Sequence, residues 1–205
     1  AGKNVMTDNL LIGTGTFTQT GGTNTTNQEL FVGRYSGSGT YEQSGGTNTI
    51  TNGLHLGTYS GSTGTYNLND TGQLTAGYET IGVYGTGFFT QTGGTNTTNQ
   101  DVYVGLYGGS EGTYTQSGGT NTITSGLKLG INWGSTGNYN LSDTGQLTAG
   151  YEAIGVYGTG FFIQTGGRNI TNTDLYVGLY EGSEGTYTQT GGTNTITNGL
   201  HLGTD

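Results

Sequence analysis

One interval recurs through the chain. GTYEQSGGTNTIT begins at Gly39, GTYTQSGGTNTIT at Gly112 and GTYTQTGGTNTIT at Gly185, and the two steps are equal. TGQLTAGYE at Thr71 recurs at Thr144, one identical step further on. A chain that repeats at a fixed period folds by stacking one small unit on the next, because no single unit can bury its apolar face alone. The long interval contains a unit about a third its length. Each unit closes on a short apolar strand and a glycine: Gly13, Gly33, Gly57, Gly82, Gly105, Gly130, Gly155, Gly178 and Gly203. Super-repeats therefore run over roughly 10–81 and 82–154, with 155–205 incomplete, in one domain spanning 1–205.

Within a unit, three short pieces alternate at period two, as strands do: 40–44, 47–51 and 54–56 in one example. Gly45-Gly46 and Asn52-Gly53 separate them, and both dipeptides form turns because they accept positive φ. No helical period appears. Length varies in one place, the segment after the closing glycine, which marks a surface corner. The reading is an all-β parallel solenoid, a β-helix, with three short strands per rung. Most closing glycines recur every 23–25 positions, which sets the rung length, and about eight full rungs follow a partial N-terminal one. Residues 1–13 align with 45–57, so the chain enters at the second strand of a rung and leaves the first-strand slot free for a neighbour.

Composition explains why repetition is needed. Glycine fills 45 of 205 positions, hydrophobic residues only 29 %, and the net charge is −9. Such a chain makes no ordinary globular core. Fifteen Tyr and the absence of proline argue equally against a linker. The absence of cysteine removes disulfides and thiolate metal sites, and no metal or cofactor is expected. Four Lys and Arg against 13 Asp and Glu argue against a nucleic-acid partner. No apolar run is long enough for membrane insertion as a helix.

Aligning the units gives columns of one parity, read as the interior. The aromatic column is Phe17, Tyr41, Tyr66, Phe89, Tyr114, Tyr139, Phe162 and Tyr187. Two positions on come Gln19, Gln43, Gln91, Gln116, Gln164 and Gln189, with Leu68 and Leu141 in two rungs. A second amide column runs Asn4, Asn24, Asn48, Gln73, Asn96, Asn121, Gln146, Asn169 and Asn194. Stacked amides bonded along the axis would offset the cost of burying them. Glu79 and Glu152 also have inward parity, and a local bulge returning them to water is expected. Their closeness in sequence to Asp70 and Asp143 admits a catalytic pair or a calcium site.

Outward positions carry the candidate functions. Phe31, Tyr103 and Tyr176 recur once per super-repeat and form a stripe suited to sugar stacking or rod packing. Threonine rows on the second strand suit ice binding. They are read as interrupted by Gly72, Leu74 and Ala76, by Gly145, Leu147 and Ala149, and by Arg168 and Ile170. Tyr35, Tyr59, Tyr84, Tyr107, Tyr157 and Tyr180 follow the closing glycines. Asn132-Trp133 breaks that series and is read as corner packing. Glu111, Glu181 and Glu184 read as solubilising charge.

The rung GTYTQSGGTNTITNGLHLG resembles the Gly/Thr/Asn-rich repeats of bacterial surface β-solenoids, such as autotransporter passenger domains and large secreted repeat proteins. That resemblance implies an extracellular or cell-surface location. The leading expectation is a non-enzymatic structural solenoid, a filament or surface-matrix subunit that self-associates end to end through uncapped rungs. The alternative is a binding module: an adhesin or polysaccharide binder with a glycan partner at the exposed aromatics, or an ice binder.

Overall fold

The computed structural model describes residues 2–203; the parts of the repeat alignment that fall on Ala1, Thr204 and Asp205 lie outside them. The chain forms twenty strands and no helix among the described residues. Every strand pairing among the described residues is parallel and joins each rung to the next. The result is a β-solenoid of about eight turns. In a representative stretch the strands are Thr63–Leu68, Gln73–Ile81, Thr86–Gln91, Thr95–Thr98 and Val102–Val104. Ser38–Leu56 runs through its turns as one bent strand. Lys3–Met6 and Leu10–Ile12 make the partial N-terminal rung, pairing Asn4 with Asn24 and Leu10 with Leu30.

Residue type is matched through the stack. Tyr41 pairs with Tyr66 and Tyr66 with Phe89, and then Phe89 pairs with Tyr114 and Tyr114 with Tyr139. The inward rings stack at centroid separations of 4.5–5.2 Å from Phe17 to Tyr187. Tyr41, Tyr66, Phe89, Tyr114, Tyr139 and Phe162 are fully buried. Phe17, Tyr187 and Asn194 are half-buried and Gln189 is exposed, because each lies in a rung covered on one side only. Closing glycines such as Gly57 (φ 67°) sit where a methyl group would overlap the backbone of the next rung.

Two rungs depart from the expected parity. Gln43 and Asn48 are five positions apart, whereas their partners Leu68 and Leu74 are six apart. The extra residue sits in the turn around Asp70, whose φ of 47° is left-handed; Asp143 repeats it at 47°. The next turn is one residue shorter, with Ala76 and Tyr78 opposite Ile50 and Gly53, so register returns by Ile81. Consequently Leu74, Ala76, Leu147 and Ala149 point into the core, while Gln73 and Gln146 are exposed. This reverses the expected placement of all six.

The amide columns also differ from a simple axial ladder. Asn4 donates to Asn24 (3.2 Å) and Asn24 to Asn48 (2.9 Å). The next rung then presents Leu74. Elsewhere the asparagine donates to the tyrosine of the following rung: Asn48 to Tyr66 (3.0 Å), Asn121 to Tyr139 (3.1 Å). The glutamines bind their own turn and the strand above. Gln43 Nε2 donates to the carbonyls of Gly46 (3.1 Å) and Gln73 (3.0 Å), while its Oε1 accepts from Tyr66 (2.6 Å). Each Tyr–Gln–Asn group thus ties two rungs together.

Candidate functional site

Glu79 and Glu152 do not return to water: both are completely buried. Glu79 occupies the inward slot that Leu54 and Val102 fill in the neighbouring rungs, and Glu152 the slot of Leu127 and Leu175. Glu79 accepts a hydrogen bond from Thr98 (2.9 Å), and Glu152 from Thr171 (2.9 Å) and Asn169 (3.2 Å). Burial pushes both carboxyls up to about 7, against those hydrogen bonds. Asp70 and Asp143 stay outside the core at their turn, so the two acids of each expected pair lie on opposite sides of the wall and make no joint site. No cluster of three metal-ligating side chains occurs among the described residues.

The outward face of the third strands carries an arrangement that the sequence reading missed. Phe31, Tyr103 and Tyr176 do lie on it, but all three are half-buried. Phe31 stacks on His55 (4.9 Å) and Tyr176 on His201 (4.8 Å), while Lys128 Nζ lies 5.0 Å from the Tyr103 ring centre. An acid joins each cluster. Tyr78 Oη donates to Glu29 (3.1 Å) and lies 3.2 Å from His55 Nε2. Lys128 binds Asp101 at 2.9 Å, and His201 approaches Asp174 at 3.1 Å. Burial opposes ionisation of Asp101. Hydrogen bonds from Lys128, Ser125, the Gly126 N–H and Tyr103 outweigh that and hold its carboxyl below the usual range. Burial lowers the His55 imidazole despite Glu29 beside it. The signal was in the sequence: Glu29, Asp101 and Asp174, and likewise His55, Lys128 and His201, recur once per super-repeat. The clusters clamp adjacent rungs, and shallow grooves flank them. His55, Tyr78, Val83 and Tyr107 line one groove; their repeat equivalents Lys128, Tyr151, Val156 and Tyr180 line the next.

The second-strand face is more regular than expected. In-register pairing runs Thr25–Thr49–Thr75–Thr97–Thr122–Thr148 before Ile170 interrupts and Thr195 resumes. The parity shift places Thr75 and Thr148 in the row. The parallel row is broken by Gln73, Gln146 and Arg168.

At the variable corner the tyrosines stack in pairs, Tyr35 on Tyr59, Tyr84 on Tyr107 and Tyr157 on Tyr180, at 4.4–5.2 Å. Asn132-Trp133 packs this corner as expected: Asn132 donates to the Leu106 carbonyl (2.7 Å) and Trp133 lies against Gly182, while its indole stays 63 % exposed. No family model, curated protein or solved structure matches this chain.

Proposed function

We propose that the protein is a non-enzymatic structural rod of an extracellular or cell-surface matrix. Its coils continue, within a longer chain or between copies, by the same strand pairing that joins its rungs. The supporting observation is the first strand of the rung: from Ser38–Gln43 to Glu184–Gln189 its six positions pair with those of the next rung without a shift, each with a stacked inward ring. The resemblance to bacterial surface repeats supports the location. Electron micrographs over a range of concentrations test self-association. Rods that lengthen with concentration are expected; short monodisperse rods throughout would overturn it.

The threonine row favours a second reading, ice binding. Its hydroxyl and methyl groups repeat at ~4.8 Å along the axis of a parallel sheet. Native protein is then expected to inhibit ice recrystallisation and the double variant Thr97→Lys, Thr122→Lys to lose that effect. Equal behaviour of the two would remove this reading.

A further inference from the structure

The corner at 155–160 is a notch. Gly155 and Gly160 are five positions apart, whereas Gly130 and Gly137 below, and Gly178 and Gly185 above, are seven apart. The shorter loop lies between two longer ones. Trp133, on the lower long loop, reaches across it and packs on Gly182 of the upper loop. A methyl group at Gly182 (φ 75°) would overlap the indole. Trp133, Tyr157, Tyr180, Glu181 and Gly182 line one open cleft of about 640 Å³. The equivalent notch, one super-repeat earlier, has Ser60 in place of Trp133 and Gly108 in place of Glu181. The indole and the carboxylate are thus additions to a corner that folds without them.

We propose that this cleft binds a quaternary or methylated ammonium group. The indole and the stacked Tyr157–Tyr180 pair, with a carboxylate at the rim, supply what such a cation needs: π surface to take up its apolar methyl shell, and negative charge without a demand for hydrogen-bond donors. No basic residue lines the cleft among the described residues. Lys128, in the adjoining groove, is held by Asp101. The chain's net charge of −9 draws cations toward the surface and repels anionic ligands. Leaving an indole 63 % in water exposes apolar surface that a ligand would cover. The proposal stands apart from the rod and ice readings and survives the failure of either.

The chain's one tryptophan makes its fluorescence a probe of this cleft alone. Titration with choline chloride at constant ionic strength is expected to give a saturable change. The neutral isostere 3,3-dimethyl-1-butanol and methyl β-glucoside are expected to bind at least about tenfold more weakly. Broadening of the choline methyl signal in ligand-observed NMR is expected to vanish with Trp133→Ser, which installs the residue of the equivalent notch, and to weaken with Glu181→Gln. Circular dichroism checks that both variants keep the fold. The proposal is overturned if choline gives no response, if the isostere or glucoside binds as well, or if folded Trp133→Ser still broadens the signal as native protein does.

Discussion

At Phe89 and Phe162 the inward ring carries no hydroxyl, and the rung below explains it. Tyr41, Tyr66, Tyr114 and Tyr139 each donate to a glutamine of the preceding rung at 2.6–2.8 Å. In the rung below Phe89 the glutamine and asparagine positions hold Leu68 and Leu74, and in the rung below Phe162 they hold Leu141 and Leu147. A buried hydroxyl without a partner costs about 1–3 kcal/mol, so ring type is set by the rung below. Phe89→Tyr should therefore destabilise the fold by that amount. Adding Leu68→Gln and Leu74→Asn should recover much of it, because those side chains supply acceptor and donor. Urea denaturation of the single and triple variants measures the difference; equal stability of Phe89→Tyr and native protein would break the rule. Thr26 is an exception: its buried Oγ1 has no partner, because the slot holding Glu79 below Thr98 holds Leu10 below Thr26.

The inward strand element carries a proton-linked load. Glu79 and Glu152 are raised from 4.5 to about 7 in the folded chain. The native state therefore binds protons more tightly than the unfolded one. The favourable contribution is complete below about pH 4.5, falls as pH rises through about 7, and is absent above. A shift of this size corresponds to roughly 3 kcal/mol per glutamate. The melting temperature should rise on acidification from pH 8 to pH 5, and Glu79→Gln with Glu152→Gln should flatten that dependence and raise stability at pH 8. Thermal melts across pH decide it. How much of this was legible follows from period and parity. The long repeat and the alternating columns were enough to read the parallel coil, the inward rings and the closing apolar strand. One extra residue at Asp70, taken up at positive φ, does not alter the spacing of closing glycines, so the outward–inward reversal at Gln73–Ala76 left no trace in the count. Glu79 had the right parity; the register does shift at Ala76–Tyr78, but that shift cancels the extra residue at Asp70 and keeps Glu79 inward, where Thr98 in the next rung supplies a hydrogen bond. The clusters of acid, base and aromatic ring join side chains far apart in sequence, and only the stacked register brings them together.

At the scale of the molecule, these couplings make three rungs the unit of stability. Each rung contacts mainly its neighbours, so stability is approximately a sum of rung and interface contributions. The interfaces, however, are of three kinds. Removing 82–154 joins Ile81 to Gly155 and keeps the interior neighbours in type: the rung holding Leu68 and Leu74 is still followed by one with an inward phenylalanine, Phe162, and Glu79 is still followed by a threonine, Thr171. Removing only 82–104 joins Ile81 to Gly105. Tyr114 then follows a rung with leucines at the glutamine and asparagine positions and Ile123 replaces Thr98, so Tyr114 loses its acceptor and Glu79 its threonine donor together. The shorter deletion should therefore melt below the longer one at pH 8, although it retains more of the chain and more buried surface. Thermal and urea unfolding of both variants tests this. If stability simply followed the number of rungs kept, the coils would be interchangeable and the three-rung unit would have no energetic basis.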